Sequence, residues 1–459
     1  MSILNEPGRF LTGSIMAHVA RMTLTGMVGF MFIFAVDAIN LFWLAGTGDM
    51  ELVAAAGFAM AVQVMSLACG IAMMIASTAL ISRAIGAGDP GLARRQTSSG
   101  AIIGAVVQGA LAALLIGFRY PILQFLGADG AVLEEAARYL TISLPTLVLI
   151  GGSMVINGAI RAQGDARRSV TVTLAGGLVS LIFGYLLIRV AGWGLVGAAV
   201  GVIIAQTASF LLAFRFARKF HDLLARPRLA DMKETFGPFM AIAVPATISQ
   251  LARPAGIALL LMVMARFGDE AVAGWSVLSR VIMVAYGGLL ALSAAIGGIY
   301  GQNFGARDFE RVRRTFRDAT IFGLAYVVLV WALLYGATDW VVATFGVTGL
   351  GVEVVRAFTH FGAGGYVFAA GTFVAGAALN TLGRPRWASI INWVREGLLT
   401  WPFAVVMAGW FGAAGVVYSQ IGVSVIIGIA SWLIARWYIR SLDETKAAEV
   451  PQPVPTVAQ

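Results

Sequence analysis

Charge is scarce in this sequence. Asp, Glu, Lys and Arg make up 12% of 459 residues, against about a quarter in soluble domains. So few charges cannot cover a water-facing surface of that size. A soluble multidomain fold, a disordered chain and a nucleic-acid binder are excluded together. Cysteine is nearly absent: Cys69 alone cannot form an intrachain disulfide, which removes a disulfide scaffold. Histidine occurs three times, and no His/Cys/Asp cluster has metal-ligand spacing. A Gly-x-x-x-x-Gly-Lys loop is missing, so ATP is not the evident energy source. A Gly-x-Ser-x-Gly elbow is missing too. Nothing supports an enzyme, and no cofactor is called for. Apolar and polar residues do not alternate as barrel strands require, so a membrane β-barrel is also set aside.

What is abundant is long apolar sequence. Hydrophobic residues form 59% of the chain, in continuous runs, and about 20 such residues carry a helix across a bilayer. Runs centre near Phe30, Val64, Gly109, Leu147, Val179 and Ile204, then near Leu259, Leu289, Val328, Ala370, Leu399 and Val425. The expectation is an all-α integral membrane protein with twelve transmembrane helices. The polar start of the chain lacks a cleavable signal pattern, and the first run is too long for a signal core.

The net charge of +9 is unevenly placed. Arg83, Arg94 and Arg95 fall in one loop, Arg161, Arg167 and Arg168 in another, and Arg307 to Arg317 in a third. The intervening loops, such as Gly46 to Glu51, hold few cations. Cationic loops stay in the cytoplasm. Both termini are therefore expected inside, in a bacterial-type inner membrane, with the arginines meeting lipid head groups. The longest polar connection, near His221 to Gly237, divides the chain. We read 1–220 as an N-terminal six-helix lobe, 221–236 as a cytoplasmic linker, 237–441 as a C-terminal six-helix lobe, and 442–459 as a disordered cytoplasmic tail.

The halves repeat one another. Gly86-Ala87-Gly88-Asp89 matches Gly305-Ala306-Arg307-Asp308, and Gly164 matches Gly383, each at an offset of 219 residues. Glu51 and Val53 meet Glu270 and Val272 at the same offset. Six spans per repeat return the chain to its starting side, so the repeats are parallel. Two pseudo-symmetric six-helix bundles around a central cleft are a common solution to alternating access. The 55 glycines, many within spans, allow close helix approach. Pro145, Pro245, Pro254 and Pro402 are expected to kink their helices.

These residues also carry a family resemblance. Val36-Asp37-Ala38-Ile39, Gly48-Asp49, Leu52-Val53-Ala54-Ala55, Ser82 to Asp89, Ile160 to Asp165, Gly197-Ala198-Ala199 and Gln302 to Ala306 stand in the order and spacing that resembles multidrug and toxic compound extrusion (MATE) transporters, over nearly the whole chain. The resemblance implies cation-driven export of small amphipathic molecules, often cationic or aromatic, by a monomer with two six-helix lobes. It also shows departures. Ser180 and Gly184 stand where many members have Asn and Asp, Val202 where a threonine is common, Arg253 where others have glutamate, and Ala369 near a missing carboxylate. Asp37 alone carries over.

Embedded ionisable side chains are costly and usually line a cavity or relay. Asp37 is the candidate coupling residue, with Ser180, Tyr185 and Gln206 as neighbours implied by the resemblance. A proton needs one carboxylate, whereas sodium needs several oxygen ligands, so H⁺ is favoured over Na⁺. The second half carries Arg253, Arg280, Arg395 and Glu396, and Glu396 is expected to pair with Arg253 or Arg280. Phe34 and Tyr366 are candidate cleft residues. The alternative function is a lipid or lipid-linked oligosaccharide flippase, in which those arginines would hold phosphate.

Overall fold

In lipid the backbone must satisfy its own hydrogen bonds, so long apolar runs become helices. The computed structural model describes residues 8–46 and 48–442. The tail read as 442–459 lies outside the described residues from position 443 onward. The helices α1 (Ile15–Ala45), α2 (Met50–Gly86), α3 (Pro90–Gly117), α4 (Gly130–Ala162), α5 (Ala166–Val190) and α6 (Gly194–Lys219) make the first half. In the second, α7 (Leu229–Phe267), α8 (Asp269–Gly305), α9 (Phe309–Gly336) and α10 (Gly349–Thr381) precede one stretch of 56 residues, Pro385–Arg440. No strand occurs among the described residues.

That last stretch is two spans. At about 1.5 Å per residue it would be roughly 84 Å long, far beyond a bilayer core. It breaks at Gly412, with φ +60° and ψ −145°. A Cβ on Gly415 would collide with the Met407 carbonyl, so the chain folds sharply back there. The spans are α11 (385–411) and α12 (413–440), which makes twelve.

The sequence repeat is also a repeat of geometry. α2 and α8 each have 37 residues, α3 and α9 each 28, and α4 and α10 each 33, starting 219 residues apart in every case. The short connecting helices Arg119–Phe125 and Thr338–Phe345 begin at the same offset. Left-handed backbone recurs too: Gly88 (φ 73°) corresponds to Arg307 (φ 58°), and Gly127 (φ 96°) to Gly346 (φ 59°). Aspartates of the repeated loops cap the helices that follow. Asp89 accepts from the Leu92 amide, Asp165 from Arg168 and Asp308 from Arg311.

Contacts divide the chain into two units. Val28–Ala243 forms the body of the first, and Phe10–Met27 with the chain from Val244 onward forms the second. α1 and α7 thus change unit part-way along their length. Within the segment 221–236, residues from Leu229 are already helix. Pro145 interrupts α4 as a short 3-10 turn, while α7 runs through Pro245 and Pro254 without a break.

In the first unit α2 is central. Ser77 donates to the Val155 carbonyl at 2.7 Å and Thr78 to that of Gly158 at 3.2 Å, joining α2 to α4. α3 and α4 touch backbone to backbone: a Cβ on Gly104 would stand 2.9 Å from the Gly151 carbonyl oxygen. This is small-residue packing, which lets helices approach where no hydrophobic effect drives them together. In the second unit Tyr286 of α8 donates to the Ala363 carbonyl of α10 at 2.9 Å. Ser431 of α12 donates to Thr372 of α10 at 3.2 Å.

Candidate functional site

Asp37 sits eight residues before the end of α1, about 12 Å from its cation-poor end. Its side chain is exposed, with no ion pair or hydrogen bond among the described residues. Its charge acts on the Tyr139 phenol of α4. Tyr139 is buried and accepts from Gln63 of α2 at 3.4 Å; Gln63 also donates to Ser143 at 3.3 Å.

The neighbours implied by the resemblance are only partly assembled. Ser180 of α5 accepts a hydrogen bond at 3.1 Å, but from Asn40 and not from Asp37. Asn40 lies three residues beyond Asp37, on the same face of α1. The opening beside it is the consequence of a departure noted above. A Cβ on Gly184 would stand 2.7 Å from Asn40 Oδ1, so an amide from α1 occupies the space an α5 side chain would take. That Oδ1 is buried and has no hydrogen-bond partner among the described residues. Tyr185 turns instead to Trp43, edge to face at 5.6 Å. Gln206 is half-buried in α6, and no hydrogen bond joins it to Asp37. Phe34 is half-buried on α1.

In the second unit the expected ion pair is replaced by another. Glu396 Oε1 lies 3.6 Å from Arg395 Nε, its neighbour in sequence, and Arg253 and Arg280 are not its ion-pair partners. Both residues lie in a π turn, 394–399, one of the local widenings found within α-helices. Arg280 is exposed on α8. Arg253, Arg395 and Glu396 all interact electrostatically with Tyr366 of α10. Tyr366 stacks on Tyr286, with ring centroids 3.9 Å apart and planes at 11°. A separate cavity of about 410 Å³, lined by Glu353, Arg356, His360 and Tyr418 among others, holds none of these residues. Among the described residues, no group of three or more His, Cys, Asp or Glu could hold a metal ion.

Sequence reasoning did not single out Asn40, Gln63, Tyr139 or Tyr286. Asn40 and Gln63 carry a visible signal, an amide within an apolar helical run. The two tyrosines carry none, because aromatic residues are common in spans.

The protein resembles known transporters along almost its full length. It is 23% identical over 95% of its length to a protein named FAD transporter from Shewanella oneidensis, covering 98% of that chain. It is 22% identical to the multidrug export protein MepA of Staphylococcus saprophyticus, over 93% of this chain and 94% of that one. A crystal structure of a mutant of the Vibrio cholerae MATE transporter VcmN superposes with a TM-score of 0.88, at 23% identity over 94% of this chain and 98% of the other. The MatE family model matches twice, at residues 24–186 and 245–406. Those two matches fall one on each copy of the internal repeat and cover well over half of the sequence, and on that ground the chain belongs to the MatE family of multidrug efflux transporters.

Proposed function

We propose that the chain is a cation-coupled antiporter, with H⁺ favoured over Na⁺, that exports small amphipathic compounds by alternating access. Its place is a bacterial-type inner membrane with both termini in the cytoplasm, the side to which the arginine-rich loops assign them. The observation that carries the coupling assignment is Asp37: a carboxylate within a membrane helix, without an ion pair among the described residues, on the same helix face as Asn40, whose amide bonds Ser180. Proton uptake neutralises such a group and changes which neighbours it can bond. Sodium would require a ring of oxygen ligands, and Gly184 and Val202 contribute no side-chain oxygen. The relative named as a FAD transporter supports a substrate with an aromatic body.

Dye efflux in everted vesicles tests this reading. A protonophore should collapse transport and a sodium gradient should not replace the proton gradient. Asp37→Asn should abolish coupling while leaving the protein folded. Normal transport by Asp37→Asn would remove the site assignment, and indifference to both gradients would count against any antiporter. The second reading, a lipid or lipid-linked oligosaccharide flippase, is favoured by one observation: the arginine-rich set of the second unit can hold phosphate. Lipid scrambling by reconstituted protein without dye export would support it.

A further inference from the structure

The second unit holds a positive charge that its own side chains leave unanswered. Arg253 is half-buried on α7, with no ion pair or hydrogen bond among the described residues. The carboxylate nearby is already engaged. Glu396 pairs with Arg395 at 3.6 Å, and the two side chains are 16% and 18% exposed. Glu396 also rests on α7 at Gly256, where any Cβ would collide with its carboxylate. Arg253 lies one turn before Gly256 on α7, on the face that Glu396 touches, and the charges of Arg253, Arg395 and Glu396 reach Tyr366. Two guanidinium groups therefore answer one carboxylate, and the cluster keeps a net positive charge.

The same place has an aromatic wall. Tyr366 is stacked on Tyr286 at 3.9 Å, and Phe358 meets both rings edge-on at 6.2 Å and 6.4 Å. Tyr286 is fixed by its hydrogen bond to the Ala363 carbonyl. The Tyr366 hydroxyl has no hydrogen-bond partner among the described residues. The site thus offers spare donors, a planar guanidinium fork and a phenol, with its one strong acceptor committed elsewhere.

A half-buried guanidinium on a membrane helix is costly until an anion answers it. Its planar fork matches carboxylate and phosphate oxygens. A flat ring beside it gains from stacking on tyrosine. A cation would meet repulsion at the same point. We propose that this cluster is a specificity site for an aromatic anion, in which Arg253 selects the negative charge and Tyr366, backed by Tyr286, holds the ring. The proposal deepens the exporter reading and rests on it for the site's purpose, but it reverses the charge that the family resemblance led us to expect of the substrate. A lipid phosphate offers the same anion without the ring, so the test separates the two.

Equilibrium dialysis of the purified full chain in neutral detergent would use three probes: flavin mononucleotide, uncharged riboflavin and the cation ethidium. The mononucleotide should bind at least about tenfold more tightly than riboflavin, and ethidium more weakly than either. Arg253→Gln should lower mononucleotide affinity by about tenfold or more, the effect of losing a hydrogen bond to a charged group, while riboflavin affinity stays within about twofold. Arg253→Lys keeps the charge without the fork and should fall between, which covers the case that the glutamine variant does not fold. Tyr366→Ala should weaken both flavins alike. Equal binding of anion and cation by the native protein, or an undiminished anion preference in both Arg253 variants, would overturn the proposal. Displacement of the mononucleotide by phosphatidylglycerol, with Tyr366→Ala having no effect, would also overturn it and assign the cluster to a lipid head group. Dye efflux measured in parallel keeps the readings apart. Anion-selective binding without any export counts against the exporter alone, and export without anion-selective binding counts against this site alone.

Discussion

Replacing Asp165 by Ala should loosen one loop of the first unit, and the size of the effect follows from what the carboxylate touches. Asp165 lies between α4 and α5, outside the spans. It caps α5 by accepting from the Arg168 amide at 3.0 Å, bonds the Arg168 guanidinium at 2.5 Å, and lies 3.2 Å from Nε2 of the buried His221. His221 opens the segment that leads to α7, and that segment is docked on the first unit. Leu223 is fully buried, Ser98 exchanges hydrogen bonds with Ala225, and Arg94 pairs with Asp222. Burial alone would raise the Asp165 pKa. The hydrogen bonds from His221 and from the Arg168 amide and guanidinium outweigh it, and hold the carboxyl well below the usual carboxylate range. A group whose folded pKa is depressed stabilises above its unfolded pKa and loses that contribution as pH falls. The contribution should therefore be complete at pH 7 and should fade below about pH 4, the ordinary carboxylate value. Loss of a helix cap costs about 1 kcal/mol, and the half-exposed Arg168 link about 0.5 kcal/mol. The His221 contact adds about 1 kcal/mol. Hydrogen exchange at pH 7 should show about tenfold less protection for the first-turn amides of α5, and about fivefold less for residues 221–226 (at roughly 1.4 kcal/mol per factor of ten). Protection elsewhere in α2 and α4 should not change. Unchanged protection at 221–226, or an equal loss throughout the first unit, would refute the reasoning.

Three further outcomes follow from the same structure. Gly184→Ala places a methyl group against Asn40 Oδ1 and should displace the amide from Ser180; everted-vesicle efflux should fall several-fold and shift in pH dependence, with little loss of folded protein. Gly412→Ala puts a side chain at φ +60° and ψ −145°, a region nearly restricted to glycine, and should cost about 1 to 3 kcal/mol, read as a lower thermal midpoint in detergent. Arg311→Ala removes a guanidinium that bonds Asn303 at 2.9 Å and the Phe10 carbonyl at 2.8 Å, besides reaching those of Thr12 and Gly13. It should free residues 8–14 for exchange and proteolysis, at a local cost of about 2 kcal/mol.

Much of the architecture was legible before any coordinates. Apolar run length fixed the spans, because a bilayer has one thickness and a helix one rise. The offset of 219 between loop motifs carried over to helix lengths and to backbone conformation, because a glycine or aspartate in a turn answers a strictly local demand. Asp37 was legible for a similar reason: an acid in an apolar run is conspicuous whatever surrounds it.

Partners were not legible, since they depend on which helix faces meet. Asn40 reaches Ser180 across 140 residues of sequence only because Gly184 leaves room for it. Glu396 takes Arg395, its neighbour in a π turn, and leaves Arg253 unmatched. The sequence by itself determined how many times the chain crosses the membrane, that it is a duplication, and which charges fall within apolar runs, since each follows from local chemistry against a solvent of known thickness. Only the tertiary structure decided which of those charges are answered, because pairing requires side chains distant along the chain to arrive within a few ångströms of one another.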